Sequence, residues 1–256
     1  MRLRQVALIA HKVQPIAEQF AAVFGTQVAY TDAAVEIFGL KNVLLPAGGE
    51  FIEVLEPFRD DASGARYLAR RGGDAGYMVI LQDEDSYAHR ERLAADGVRV
   101  IARNPEASRY RFTHFHPGDS AGVLLSIDSI TGDAGWQQPK SDWLAAGTRW
   151  RDFPAAQALG VSAVTIQSPD PLGACERWAY LLGRHASSLG DSFQISLERG
   201  AIRFVSPVDD DGTGVVGLDI EVKDGHAALD RARAAGLPVA GGAVQICGVV
   251  VRPVSI

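Results

Sequence analysis

Residues 15–25 read PIAEQFAAVFG and residues 171–183 read PLGACERWAYLLG, and the two segments share one design. Each begins with proline, repeats apolar residues at helical spacing and ends in glycine, which is typical of an amphipathic helix closed by a left-handed residue. Apolar runs at 3–10 and 161–167 precede the two segments and predict strands. The chain therefore contains at least two copies of a strand–helix unit.

Further strand candidates extend this pattern to four units. The first unit has strand candidates at 34–38, 40–46 and 51–56 after its helix, and the second unit repeats the order. The remaining predicted elements are a strand at 76–82, a helix at 87–95, strands at 98–102, 109–116 and 121–127, a hairpin at 192–205, a strand at 215–222, a helix at 226–235 and strands at 237–240 and 244–252. Four βαβββ units in tandem predict an α+β protein.

Composition and charge exclude several classes of protein. The chain has 256 residues, 47% of them hydrophobic, with 25 Lys and Arg against 31 Asp and Glu. Its longest basic cluster is the pair Arg70 and Arg71, so we expect no nucleic acid and no membrane as partners. The N-terminus has too few apolar residues for a signal segment, and Cys175 and Cys247 are interpreted as buried thiols. We therefore expect a cytoplasmic, soluble monomer or homodimer.

A tryptophan-rich segment, residues 131–157, lies between the two halves. Trp136, Trp143 and Trp150 follow one another at intervals of seven residues. Disordered linkers are poor in tryptophan, so the segment is predicted to pack as a clasp across the two halves. The alternative is that it forms an aromatic wall for a ligand.

The helix ends quoted above, the strand FIEVLEP at 51–57 and the hairpin HPGDSAGVLLSID at 116–128 together resemble the vicinal oxygen chelate superfamily. That superfamily includes glyoxalase I, methylmalonyl-CoA epimerase, extradiol dioxygenases and bleomycin-resistance proteins. The resemblance implies tandem βαβββ units that form curved mixed sheets. It predicts a first glyoxalase-like domain at 1–130, a connecting segment at 131–157 and a second, degenerate domain at 158–256.

Enzymes of this superfamily usually hold one divalent metal with His, Gln and Glu side chains from two paired units. The resemblance puts these ligand positions on Gln5 and Glu53, which can bind a metal, and on Tyr77 and Ser126, which depart from the usual His and Glu. A phenol and a hydroxyl are weak ligands at neutral pH. We therefore expect no cofactor and no tightly bound transition metal, while the oxygen ligands leave room for a weakly bound Mg²⁺ or Ca²⁺. The corresponding positions of the second half are two small residues and two cations, Ala163, Gly217, Arg203 and Arg252. That half is predicted to bind no metal.

Strand alternation predicts that these polar residues of the first half share one face of a sheet. The predicted inward-facing residues are Gln5, Ala7, Ile9, Phe51, Glu53, Leu55, Tyr77, Val79, Leu81, Leu124 and Ser126. An apolar cup with a few polar groups is the composition of a ligand pocket. Glu53 is the candidate catalytic residue, and Gln5, Tyr77, Ser126 and His116 are candidate substrate-binding residues. The alternative is a degenerate core in which the polar groups bind only one another.

His114 and His116 form an H-x-H pattern on a predicted strand. Both side chains would then point the same way and could restore a metal site with Glu53. A histidine directly before Pro117 is also typical of a turn, and that interpretation stays open. Two arginines of the same segment, Arg109 and Arg111, either bind a substrate anion or lie on a solvated strand face.

Three function classes remain open. A metal-independent pocket that binds or sequesters a small organic ligand agrees best with the lost metal ligands. A metal-dependent isomerase or lyase, similar to glyoxalase I or the acyl-CoA epimerase, would act through an enediolate with Glu53 as ligand or base. A scaffold or regulator is the third class.

Overall fold

A computed structural model describes residues 1–105 and 107–256 of the chain. The α-helices are α1 (Val13–Phe24), α2 (Ser63–Arg71), α3 (Ser86–Ala95), α4 (Pro171–Leu182) and α5 (Gly225–Ala234). The strands of the first half are β1 (Arg2–Ile9), β2 (Leu40–Ala47), β3 (Glu50–Pro57), β4 (Ala75–Gln82), β5 (Val100–Arg103), β6 (Tyr110–Arg111), β7 (Thr113–Phe115) and β8 (Leu124–Ile130). Those of the second half are β9 (Ala158–Gln167), β10 (Ala186–Leu189), β11 (Ser192–Ser196), β12 (Ala201–Val205), β13 (Gly214–Val222), β14 (Val239–Ala240), β15 (Ala243–Ile246) and β16 (Val249–Ser255).

The strands form two mixed sheets. The first sheet has the order β2-β3-β1-β4-β8-β7-β5, with β6 beside β8, and the second has the order β10-β11-β12-β9-β13-β16-β15-β14. In each sheet the first strands of two units pair antiparallel at the centre, while each first strand pairs parallel with the last strand of its own unit. The predicted α+β fold class of tandem units in mixed sheets is confirmed.

Helix α1 shows how the repeat is built from the sequence. Its buried side chains, which include Ile16, Phe20 and Phe24, recur at helical spacing and pack into the main core. Gly25 ends the helix with φ of +64°, a conformation that glycine adopts without a side-chain clash. Helix α4 has the same form, with Asp170 accepting a hydrogen bond from the Gly173 amide at its start and Gly183 at its end.

The predicted strand at 34–38 is wrong, because residues Ala33–Phe38 form a 3-10 helix. The Asp32 side chain accepts a hydrogen bond from the backbone amide of Ala34 at 2.9 Å, and Gly39 closes the turn with φ of +73°. A capped turn of this kind competes with strand pairing. An isolated bridge joins Tyr30 to Leu44 at that edge of the sheet. Helix α2, between β3 and β4, is an element that the sequence patterns did not predict.

The two halves are joined by a shared core and by buried charges. One continuous apolar cluster contains residues of α1 and β1 as well as residues of α4, α5 and β13. The Glu50 carboxylate accepts hydrogen bonds from Arg2 at 2.5 Å and from Arg199 of the second half at 2.6 Å. Because the core crosses the boundary, the division into domains at 1–130, 131–157 and 158–256 stays a prediction.

Two further sequence observations concern thiols and membranes. Cys175 and Cys247 are both free and buried. Among the helices that the structure describes, none combines the length and the apolar character needed to cross a bilayer.

Candidate functional site

The face of the first sheet that points away from α1 carries a cavity of about 370 Å³. We call this face the cup face, and it is defined by Gln5, Ala7, Phe51 and Glu53 on β1 and β3. The 3-10 helix Ala33–Phe38 forms one wall of the cavity. The apolar lining residues are Ala34, Val35, Ile37, Phe38, Leu40, Leu55, Met78, Ile80, Ile101, Ala102, Phe112, Leu124 and Ala145, and the polar ones are Gln5, Asp32, Asn42, Glu53, Ser63, Tyr77, Tyr110 and His114.

Glu53 lies at the centre of a buried hydrogen-bond network. One of its carboxylate oxygens accepts a hydrogen bond from Gln5 Nε2 at 2.7 Å, and the other accepts one from Asn42 Nδ2 at 2.6 Å. Burial raises the pKa of Glu53, and the two amide donors oppose that rise. Each carboxylate oxygen has a second lone pair, so Glu53 can still accept a hydrogen bond from a ligand.

Both amides are held in one orientation by groups that can only donate. Gln5 Oε1 accepts a hydrogen bond from the Trp143 indole at 2.8 Å, and Asn42 Oδ1 accepts one from the Asp32 backbone amide at 2.8 Å. An indole N–H and a backbone N–H have no acceptor function, so the amide oxygens must face them. The NH₂ groups are thereby turned towards Glu53. The amide oxygens are turned away from it.

This orientation does not suit a metal of the kind the superfamily uses. Gln5 would have to offer its oxygen, but Trp143 holds that oxygen elsewhere. His114 lines the same cavity as Glu53, as the hypothesis of a metal site formed by Glu53 and the H-x-H pattern requires of this histidine. In residues 1–105 and 107–256, however, no three His, Cys, Asp or Glu side chains come together as a metal site would need. The residues present therefore do not fit a tightly bound transition metal.

Tyr77 reaches the cavity because of a bulge in β4. The pairing of β1 with β4 matches Ala7 to Met78 and Leu8 to Gly76, which leaves Tyr77 as the extra residue. Ser63 lines the cavity beside it, and burial raises the pKa of the Tyr77 phenol. The predicted inward orientation of Val79 and Leu81 is wrong. These two residues belong to the core on the helix side, and Met78 and Ile80 line the cavity instead.

Ser126 lies on the cup face but does not line the cavity. Its hydroxyl lies within hydrogen-bond distance of the Asp128 carboxylate and of the Thr113 carbonyl, and its single proton is donated to one of them at a time. Asp128 also accepts a hydrogen bond from the Tyr110 hydroxyl at 2.6 Å, and Tyr110 does line the cavity. Burial raises the pKa of Asp128 to about 7, although three hydrogen bonds oppose the rise. Ser126 is thus connected to the cavity only through Asp128 and Tyr110.

The two histidines of the H-x-H pattern face different spaces. His114 packs in the cavity against Phe112, with ring centroids 4.7 Å apart, and burial lowers its pKa to about 4. His116 lines a neighbouring groove, where its Nδ1 accepts a hydrogen bond from the Gly118 amide at 3.0 Å. His116 is therefore a turn residue beside the cavity and does not join Glu53.

The tryptophan-rich segment packs on the cup face of the first sheet. Trp150 meets the ring of Phe51 edge-on at 5.0 Å, and Trp143 stacks on the same ring at 6.4 Å. The guanidinium of Arg4 lies 5.2 Å from the Trp143 ring. The segment therefore covers one face of the first sheet, while its role as a clasp across the two halves stays a prediction. Through Trp143 it also fixes the polar floor of the cavity.

Several features of the site were missed by the sequence patterns, among them Asn42, Asp128 and the hydrogen bond from Trp143 to Gln5. Asp128 follows Ser126 by two positions, so the same strand alternation could have identified it. Asn42 follows Lys41 at the start of its strand and gave a weaker signal. The contact of Trp143 with Gln5 spans 138 positions of sequence and left no signal in the pattern.

Comparisons with known proteins identify the fold. No family model matches the chain, and no curated protein matches it. A triple mutant of 4-hydroxymandelate synthase from Streptomyces coelicolor is similar in structure, with a TM-score of 0.65 and 16% identity over 92% of this chain and 75% of that chain. Methylmalonyl-CoA epimerase from Streptomyces coelicolor has a TM-score of 0.45 and 24% identity over 52% of this chain and 96% of that chain. The epimerase from Mycobacterium tuberculosis has a TM-score of 0.46 and 21% identity over 51% and 88%, respectively. The match to the synthase shows that the chain has the fold of the vicinal oxygen chelate superfamily, as its motifs predicted.

Proposed function

We propose that this protein binds a small organic molecule in the cavity of the first sheet without the help of a metal. The observation that carries the proposal is the orientation of Gln5 and Asn42, whose NH₂ groups both point at Glu53. A floor of this kind presents a carboxylate to the ligand instead of a metal. The apolar walls supply the contact area that a small organic ligand needs.

The charges of the cavity narrow the chemistry of the ligand. Two carboxylates, Asp32 and Glu53, line it, and none of the lining residues that the structure describes is Lys or Arg. A negatively charged head would be repelled and left without a partner. The proposed ligand therefore has an apolar or aromatic body and an N–H donor, best a protonated nitrogen, that reaches Glu53.

Tyramine, with an ammonium group on an aromatic ring, tests this proposal, and 4-ethylphenol is its counterpart without the nitrogen. We expect tyramine to raise the thermal unfolding midpoint and to bind at least about tenfold more tightly than 4-ethylphenol, because a charge-assisted hydrogen bond is roughly twice as strong as a neutral one. The blocking variant Ala34→Phe should abolish binding, whereas Ala33→Phe, at a neighbouring exposed position outside the lining, should not. Absence of any tyramine binding would contradict the proposal.

The metal-free part of the proposal has its own test. Elemental analysis of the purified protein should find well under one zinc, nickel, iron or manganese per chain. A transition metal near one per chain, lost in Glu53→Ala, would reverse the order of the two candidate functions. It would favour the metal-dependent isomerase or lyase.

A second candidate, an isomerase or lyase that moves a proton, is favoured by the pair Asp128 and Tyr110. When Asp128 is protonated it can donate to the Tyr110 oxygen, which frees the Tyr110 proton for an oxygen atom in the cavity. Glu53, which lines the same cavity, would then act as base. Ligand recovered from the protein in D₂O should in that case carry deuterium at carbon, and Glu53→Gln should prevent the exchange.

A further inference from the structure

A groove of about 310 Å³ adjoins the cavity. Four residues line both spaces, so the groove continues the cavity towards the surface: Ser63, Tyr77, Ile101 and Leu124. Tyr77 and Ser63 thus lie where the two spaces meet. A ligand that fills the cavity and extends past Tyr77 would enter the groove.

The groove carries positive charge supplied by α2. Arg66 and Arg70 are one helical turn apart, line the groove and are exposed. Arg66 donates a hydrogen bond to the Asp61 backbone carbonyl at 2.5 Å, and the Arg70 guanidinium lies 5.0 Å from the Tyr67 ring. These contacts leave most of their N–H donors free, and neither arginine forms a salt bridge with a carboxylate in the described part of the chain. No Asp or Glu is among the described residues of the groove lining.

His116 adds a further donor to the same groove. Its Nδ1 accepts a hydrogen bond from the Gly118 backbone amide, so the proton of the neutral ring is on Nε2. The groove lining therefore contains two guanidinium groups and one imidazole N–H. This set suits an anion with several acceptor oxygens.

We infer that the groove is an oxyanion subsite for the outer end of the ligand that the cavity holds. The inference rests on the proposed function, and it makes the ligand bipolar, with a nitrogen donor at Glu53 and a phosphate or carboxylate at Arg66 and Arg70. The charge separation supports it, because carboxylates line the inner space and arginines line the outer one. A ligand with the reverse polarity would meet like charges at both ends.

Arg109 and Arg111, which precede the H-x-H pattern in sequence, do not contribute to this anion subsite. Arg109 is engaged in a salt bridge with Asp142. The Arg111 guanidinium lies 4.3 Å from the Tyr87 ring. Neither residue lines the cavity or the groove.

The test adds one anionic group at a time to tyramine. O-phosphotyramine and 4-(2-aminoethyl)phenoxyacetate extend its ring with a phosphate and a carboxylate, respectively. We expect at least one of them to bind about tenfold or more tightly than tyramine at low salt, and the tighter of the two identifies the oxyanion. The double variant Arg66→Ala/Arg70→Ala should lose this advantage and keep tyramine affinity within about twofold. Arg233→Ala, a substitution of an exposed arginine on α5, is the matched control and should change neither affinity.

Equal affinity of all three compounds, or an advantage that survives in the double variant, would overturn the inference while leaving the cavity proposal intact. Pyrophosphate alone separates the two failures. It should raise the unfolding midpoint of the unmodified protein and of Glu53→Gln, but not that of the double variant. If tyramine does not bind but pyrophosphate still raises the unfolding midpoint, the cavity proposal is contradicted and the anion subsite is supported. If pyrophosphate does not raise the midpoint of the unmodified protein, the subsite is contradicted.

Discussion

The cup face of the first sheet and the corresponding face of the second sheet are built on the same register but have opposite chemistry. In the first sheet Gln5 pairs with Phe51 and Ala7 with Glu53. In the second sheet the parallel pairs at the same place are Ala163 with Ala201 and Thr165 with Arg203. An aromatic residue is thus replaced by alanine, and a buried carboxylate by a half-exposed arginine.

The comparison shows that a cover, and not the sheet alone, makes the pocket. Phe51 gives Trp143 and Trp150 a surface on which to pack, whereas Ala201 offers none. The second face consequently stays open, with 50% of the Arg252 side chain exposed. Two of its cations, Arg203 and Arg252, both pair with the Asp219 carboxylate.

The largest expected effect comes from removing the ring on which the cover packs. Phe51→Ala should lower the free energy of unfolding by about 3–5 kcal/mol, because it leaves a cavity beneath two tryptophans. Chemical denaturation followed by tryptophan fluorescence measures this change. Phe58→Ala, at an exposed position, should stay within about 0.5 kcal/mol. If the two substitutions cost the same, the cover does not depend on Phe51.

The next prediction concerns the pH dependence of the buried acid on the first sheet. The pKa of Asp128 is raised in the folded protein to about 7 from an ordinary value of 3.8. The folded state therefore binds a proton more tightly than the unfolded state, and this stabilisation is present below about pH 4 and is lost as the pH rises to about 7. The unmodified protein should lose up to about 4 kcal/mol of unfolding free energy between pH 4 and pH 8 that Asp128→Asn, which has no proton to lose there, does not lose. The difference in unfolding free energy, variant minus unmodified protein, should therefore rise by that amount.

Denaturation at a series of pH values checks the sign as well as the size. Asp230→Asn, at an exposed position on α5, should run parallel to the unmodified protein. A difference that instead grows as the pH falls would show that the Asp128 carboxylate is stabilised in its charged form.

A smaller effect should distinguish the two residues at equivalent positions, Glu53 and Arg203. Glu53→Gln should weaken tyramine binding by about tenfold or more, because the amide cannot pair with an ammonium as the carboxylate does. Arg203→Gln, on the open face, should leave the affinity unchanged. Isothermal titration of both variants checks this. Equal losses of tyramine affinity would mean that tyramine binds outside the cavity of the first sheet.

The smallest effect is expected at the ion pairs of the second face. Asp219 is bound by Arg203 and, at 3.1 Å, by Arg252. Because Arg203 remains after Arg252→Ala, this substitution should cost less than about 1 kcal/mol. A larger loss of unfolding free energy would indicate that the second face is more than a solvated surface.

The sequence identified the helices and the main strands more reliably than the residues that face the cavity. Helix α4 was predicted at its observed bounds, since Pro171 and Gly183 mark both ends. The sequence predicts a strand where the 3-10 helix at 33–38 forms, because its apolar residues fit either pattern over so short a length. In β4 nearly every residue is apolar and buried, so alternation could not show which ones face the cavity.

By itself the sequence indicated the repeated strand–helix units, since these follow from local periodicity. The mixed sheets and the positions of Gln5 and Glu53 were implied by the resemblance to the superfamily, and strand parity supported a shared face for the two side chains. Only the tertiary structure decided the orientation of the Gln5 amide, the bulge at Tyr77 and the connection from Ser126 to Tyr110. Each of these depends on a partner far away in sequence, such as Trp143, or on one extra residue in a ladder. Periodicity records which face a residue occupies, while hydrogen-bond direction and register shifts arise only when the segments meet.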